Sequence, residues 1–172
     1  RDPEYNGFRV ASRSALMQRD GDVVDMDGVS PVTFTTTPGT YFLSVKHRNH
    51  LGVMSAAPIS FSSGIMAIDF TAASTGAFGT AARKAVDGRL VLWTGDATFN
   101  GQMKYTGAAN DRDPILVRVG STSPNNTTGG YFREDTNMDG VVKYTGTSND
   151  RDPILVNVGS TAPNSVRNSQ VP

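Results

Sequence analysis

Asp135, Asn137 and Asp139 stand at alternate positions of one short stretch, and Gly140 follows them directly. Alternate residues of a tight loop turn side-chain oxygens to the same side, and a glycine in the sixth place permits the sharp bend. Oxygen donors at that spacing suit calcium, a hard ion that takes several oxygens at about 2.3–2.6 Å. Val141 follows the glycine and offers a backbone carbonyl, while Val142 should point the other way, into a core. A standard loop of this kind closes with an acid at its twelfth position, which here is Gly146. The next carboxylates are Asp150 and Asp152, so closure by Asp150 implies an insertion of four residues. Asp150 in that place puts Ile154 and Leu155 one helical turn further on, on a face that can be buried. Pro153 is acceptable only in the first turn of a helix, which leaves Asp152 either as the helix N-cap or as a ligand. Asp150 ranks above Asp152 as the closing residue.

The arrangement occurs twice. Residues 96–125 align with 135–164 at a constant offset of 39 without gaps, and 20 of the 30 positions are identical. The first copy carries Asp96, Thr98, Asn100, Gly101 and Gln102, and keeps Asp111 and Asp113 downstream. Thr98 and Asn100 replace Asn137 and Asp139, so the first loop has one carboxylate fewer. Ligand charge helps to set calcium affinity. Two bound ions are therefore expected, the tighter one in the second loop. Two copies are too few for a solenoid, and a pair packed face to face with pseudo-two-fold symmetry is the natural alternative.

The elements that must hold these loops are short. Gly, Ser and Thr cluster between brief apolar runs, which favours strands joined by turns. Strands are expected over residues 8–16, 31–36, 41–46, 58–61, 66–70 and 90–93, with a turn at Thr37-Pro38-Gly39. Residues 80–86 could supply one or two helical turns, and Val86-Asp87-Gly88-Arg89 reads as a turn. The fold expected is mainly β: an immunoglobulin-like or prealbumin-like sandwich over residues 1–92, then a duplicated calcium-binding loop–helix unit over 93–172. The opening Arg1-Asp2-Pro3 reads as the start of an excised or processed piece of something longer.

Composition removes several functions. Sixteen basic and sixteen acidic side chains cancel, so no basic field draws nucleic acid or an anionic membrane. There is no cysteine, which excludes disulfides and cysteine-held zinc. No apolar run reaches the roughly 18–20 residues of a membrane span. No nucleophile motif or phosphate-cradling loop is evident, and the chain is read as non-catalytic.

Four other features could carry chemistry. His47 and His50 suit a hydrogen-bonded turn better than zinc, since no acidic third ligand is near in sequence. Asp20, Asp22, Asp25 and Asp27 could form a third calcium site, with a solvated pair of turns as the default. Trp93 and Tyr131 each precede a loop and could stack on sugars, although such residues more often cap a small core. Lys104-Tyr105 recurs as Lys143-Tyr144, which suits shared packing.

The run from Asp135 to Val142, followed by an acid and Ile154-Leu155, resembles the duplicated loop–helix segment of type I dockerins. That likeness implies a small domain held together by calcium, with helices that can dock a partner. The inserted Lys143-Tyr144-Thr145-Gly146 and the run from Asn149 to Pro153 depart from ordinary dockerins. More widely, Gln18 to Pro31, Val45 to Met54 and both Asn-Asp-Arg-Asp-Pro-Ile-Leu segments resemble the C-terminal region of large secreted or cell-surface proteins of Bacteroidetes-type bacteria. The resemblance implies an extracellular module without a catalytic role and with a further strand upstream. A missing first strand could come from another protein domain or another copy of the chain, building a filament. An adhesin or glycan-binding module, or an ancillary domain of a secreted hydrolase, is the alternative.

Overall fold

Brief β-branched runs cut by glycine turns make only short ladders, and the strands among the described residues are two or three residues long. The computed structural model describes residues 8–62, 64 and 66–171, so the opening Arg1-Asp2-Pro3 lies outside the described residues. Among these, the elements in order are β1 (Leu16–Met17), β2 (Val23–Val24), β3 (Gly39–Tyr41), β4 (Ser44–Val45), β5 (Val53–Met54), β6 (Ile59–Phe61), β7 (Lys84–Val86) and β8 (Arg89–Val91). The repeat adds β9 (Gln102–Lys104), α1 (Arg112–Val119), β10 (Thr127–Gly129), β11 (Val141–Lys143), α2 (Arg151–Gly159) and β12 (Val166–Asn168). The chain is thus mainly β, with two short helices. Among the described residues the strands form six antiparallel pairs: β1–β2, β3–β6, β4–β5, β7–β8, β9–β12 and β10–β11. No helix of the described residues is long and apolar enough to cross a membrane.

Several local expectations are corrected. Residues 31–36 contribute only the bridge between Val24 and Pro31, because proline brings no amide to a ladder. Residues 66–70 form no strand; Asp69 instead accepts the Thr71 amide and hydroxyl at 2.7 and 2.6 Å, which bends the chain. Residues 84–86 are strand rather than helix. The cause is the next pair, Asp87 and Gly88, both at positive φ (47° and 78°), a two-residue turn whose twist matches a hairpin. It sets Val86 opposite Arg89 and Lys84 opposite Val91.

The two copies exchange strands. β9, inside the first loop, pairs with β12 after the second helix, and β11, inside the second loop, pairs with β10 after the first helix. Side chains repeat the exchange: Thr106 Oγ1 donates to Asn164 Oδ1 at 2.6 Å, and Thr145 Oγ1 to Asn125 Oδ1 at 2.7 Å. Each of these contacts maps onto the other by the offset of 39, as a two-fold relation requires. Neither copy therefore completes its own small sheet.

Between the copies lies the core. Ile115 and Val119 of α1 and Ile154 and Val158 of α2 meet Met103 of β9 and Val142 of β11, with Trp93, Tyr105, Phe132 and Tyr144 around them. Each helix contributes its buried pair at i and i+4, one face of a helical turn. Leu51, from the segment between β4 and β5, belongs to the same cluster, and its amide bonds to Trp93 O at 2.9 Å. By contrast Phe8, Leu16, Met17, Val23, Met26 and Val29 are all exposed.

Leu51→Ala should cost about 2–4 kcal/mol by emptying a buried leucine site. Val29→Ala, on a side chain 78% exposed, should stay within about 0.5 kcal/mol. Urea midpoints at constant m-value would check both, and equal losses would contradict the shared core.

Candidate functional site

Each loop is organised by two buried carboxylates. Asp96, Asp111, Asp135 and Asp150 are 2%, 0%, 1% and 0% exposed. In the second loop Asp135 Oδ1 accepts the Asp139 amide at 3.1 Å and Oδ2 the Gly140 amide at 3.0 Å. Asn137 Oδ1 also accepts the Asp139 amide, and Asp139 Oδ1 accepts the Val141 amide, both at 2.9 Å. Met138 and Gly140 take positive φ of 62° and 88° to make this bend. Val141 sits in β11, paired with Gly129.

Asp150 closes the loop from the other side. Its Oδ1 accepts the amides of Thr136 at 2.7 Å and Asn137 at 3.2 Å, and its Oδ2 accepts Lys143 N at 2.8 Å. Its own amide donates to Lys143 O at 2.9 Å. One carboxylate thus ties the start of the loop to β11. Asp152 is exposed, sits in the first turn of α2 and accepts Asn149 Nδ2 at 2.8 Å. Asp150 occupies the N-cap position without capping; Asn149 Oδ1 takes the first amides, Arg151 N at 3.1 Å and Asp152 N at 3.2 Å. The N-cap alternative for Asp152 is corrected in this way, and the carboxylate freed from capping is the one that turns to the loop.

The first loop follows the same plan. Asp96 accepts Asn100 N and Gly101 N at 3.0 and 2.9 Å, Asn100 Oδ1 accepts Gln102 N at 2.8 Å, and Asp111 Oδ2 accepts Lys104 N at 2.7 Å. Thr98 gives both its amide and its hydroxyl to Asp111 Oδ1, at 3.0 and 2.9 Å. Asn110 caps α1 as Asn149 caps α2, and Asp113 accepts Asn110 Nδ2 at 2.8 Å.

These carboxylates are poorly compensated. Burial pushes Asp111 and Asp150 up to about 6, with the neighbouring Asp96 and Asp135 adding to the rise, and burial also raises Asp96. One cation approaches: Arg48 Nη2 lies 3.7 Å from Asp135 Oδ2. Among the described residues no ion pair reaches Asp96, Asp111 or Asp150. Nor does any group of three or more His, Cys, Asp or Glu side chains stand close enough to hold a metal ion. A cation in the second loop would thus be held by a mixed oxygen set. Asp135, Asn137 and Asp139 oxygens each take amide bonds and retain lone pairs, and the Val141 amide bonds to Asp139. Such an all-oxygen set fits a hard cation. Asp150 Oδ1 is filled by two amides, while its Oδ2 takes one and retains a lone pair.

Asn49 joins the two loops and carries no sequence signal. It is fully buried; its carbonyl accepts Gly95 N and Asp96 N at 2.9 and 3.0 Å, and its Nδ2 donates to Asp135 O at 2.6 Å. Asn49 Oδ1 must therefore accept, so His50 Nδ1, 2.7 Å away, carries the proton. His47 Nδ1 lies 2.8 Å from His50 Nδ1, and burial lowers both imidazoles, His50 to about 3. The histidines buttress Asn49. Arg48 Nε donates to Phe132 O at 3.1 Å, and Thr94 Oγ1 donates to Thr136 O.

The remaining candidates are occupied locally. Asp20, Asp25 and Asp27 accept nearby backbone amides, Asp25 pairs with Arg13 at 2.8 Å, and hydrogen bonds from Ser30 and Val29 hold Asp27 down at about 2. Arg167 lies 3.6 Å over the Trp93 ring and Arg48 3.7 Å over Tyr131. Arg112 and Arg151 cover Tyr105 and Tyr144 in the same way in both copies.

The raised carboxylates fix a sign. A folded-state value above the unfolded one means that the contribution is complete below about pH 4 and is lost as pH rises through about 6. In chelator, the melting temperature contribution of Asp111 and Asp150 should therefore fall between pH 4 and 6, and Asp111→Asn should flatten that fall. A rise across the window that Asp111→Asn leaves unchanged would contradict it.

In comparisons with known proteins, no family model, no curated protein and no solved structure matches this chain.

Proposed function

We propose that this chain is a non-catalytic structural module of an extracellular bacterial surface protein, stiffened by calcium at its two loops and serving to link or assemble protein partners. The supporting observation is the set of four buried aspartates that gather loop amides while a single arginine, Arg48, stands near one of them. Hydrogen bonds offset only part of the cost of burying these charges, since burial still raises Asp111 and Asp150, and a bound cation would offset more. Calcium, when bound, would neutralise the clustered carboxylates and couple binding to folding. The chain's own residues do the rest: Asp96 and Asp135 bend the loops, Asp111 and Asp150 close them, and Asn49 holds them in one frame.

In this reading residues 93–172 are a dockerin-like pair of calcium loop–helix units. Residues 1–92 are an immunoglobulin-like or prealbumin-like sandwich completed by a strand from another domain or another copy, as in a filament subunit. The exposed Phe8, Leu16, Met17, Val23, Met26 and Val29 favour that completion, since such side chains gain most from a covering partner.

Thermal melts with calcium and with chelator test the calcium reading. At free calcium about a hundred times Kd, linkage stabilises by about 2.7 kcal/mol, which for a chain of this size is about 5–10 °C. Asp139→Ala should remove most of that shift while lowering the chelated melting temperature little, because Asp139 is exposed and bonds only within its loop. Identical melts in calcium and chelator would overturn the reading.

A further inference from the structure

The turn over residues 47–50 brings three donor atoms together with too few hydrogens to share among them. The His50 amide approaches His47 O at 3.5 Å, which closes the turn. The two histidines of the chain then face each other, ring centroids 4.6 Å apart at 75°, with the two Nδ1 atoms 2.8 Å apart. Asn49 Oδ1 lies 2.7 Å from His50 Nδ1, and the Asn49 side chain also hydrogen-bonds His47. Asn49 Nδ2 is given to Asp135 O, so Oδ1 brings no hydrogen of its own. Each neutral imidazole brings at most one at Nδ1. The triangle of His47, Asn49 and His50 therefore has three edges and at most two hydrogens, and no neutral tautomer fills it.

A metal ion satisfies all three atoms at once, and the spacing selects its kind. Donors about 2.0–2.1 Å from an ion stand about 2.9 Å apart at a right angle and about 3.4 Å apart in a tetrahedron. The edges of 2.8 and 2.7 Å match the right angle, and so the square or octahedral preference of copper and nickel before the tetrahedral one of zinc. Burial keeps both imidazoles below their ordinary value, so at neutral pH their lone pairs are not held by protons. Arg48 also depresses them and opposes a further cation, but its guanidinium is turned to Asp135, 3.7 Å away. We propose that His47, Asn49 and His50 form a site for a divalent transition-metal ion such as Cu2+ or Ni2+, held by both Nδ1 atoms and Asn49 Oδ1. On binding, His50 gives up its Nδ1 hydrogen and takes one at Nε2 from solvent, so the neutral pair releases no net proton. Asn49 bonds to Gly95, Asp96 and Asp135, so the ion clamps the frame of both loops from outside them. The site stands apart from the calcium reading, because the loops offer oxygens and this turn offers two nitrogens.

The test is a titration of the whole chain with Cu2+ in excess calcium, read by electron paramagnetic resonance. One Cu2+ per chain should bind with Kd on the order of 1 μM, and its spectrum should show coupling to two imidazole nitrogens. Copper held by the acidic loops would show oxygen ligands alone. His47→Gln, at a half-buried position, should leave one nitrogen and weaken binding about a hundredfold, equivalent to about 2.8 kcal/mol. If that variant loses its folded melt, the nitrogen count of the unaltered chain decides alone. One nitrogen or none in the unaltered chain, no saturation below about 1 mM, or unchanged affinity in folded His47→Gln overturns the proposal and leaves the pair as the hydrogen-bonded support of Asn49. Failure here with an intact calcium-dependent melt removes only the copper site, whereas a two-nitrogen signal without a calcium effect removes only the calcium reading.

Discussion

The structure depends on burying carboxylates as acceptors for backbone amides. A loop with few hydrophobic residues cannot hold its shape by packing, and the strands here are too short to do so by ladders. Asp135 and Asp150 collect amides from Thr136 to Lys143, and Asp96 and Asp111 do the same from Thr98 to Lys104. Charge-assisted bonds to amides are stronger than neutral ones, which fixes each loop around its acids. The cost is desolvated negative charge, visible in the upward displacement of Asp111 and Asp150. A cation would resolve that conflict, and protonation is the other way out.

From the loops the rest of the repeat follows. Because Asp111 and Asp150 turn to their loops, the helices take caps from Asn110 and Asn149. Because each loop strand pairs with the segment after the other copy's helix, the two copies enclose one core and neither is complete alone. Asn49 and Leu51 bind that pair to the first half, one by hydrogen bonds to both loops and one by packing. The copies differ beside the helices, where Asn157 with Lys84 stands in place of Arg118 with Glu134.

The sequence displays what is local. The alternate acids, Gly140, the offset of 39 and Pro153 in a first helical turn are all readable from spacing, and Ile154 and Val142 are buried where that spacing puts them. Asn149 before an apolar helix was also a readable cap, obscured by the acids on either side. Asn49 was not readable, since its partner Asp135 lies 86 residues away and nothing in His47-Arg48-Asn49-His50 marks a long-range contact. The helical turns considered for residues 80–86 have a plain origin: alanines raise helix propensity, but the Asp87-Gly88 turn sets a hairpin register that overrides it. Residues 31–36 contribute only the Val24–Pro31 bridge, since proline brings no amide to a ladder.

The central claim is that these buried acids are completed by a metal ion. The most direct measurement is isothermal titration of the metal-stripped chain with calcium at neutral pH, read for stoichiometry. Two unequal sites are predicted, with Asp139→Ala abolishing the tighter one. Absence of any saturable heat at millimolar calcium would contradict the account and leave the four aspartates as protonatable structural hubs.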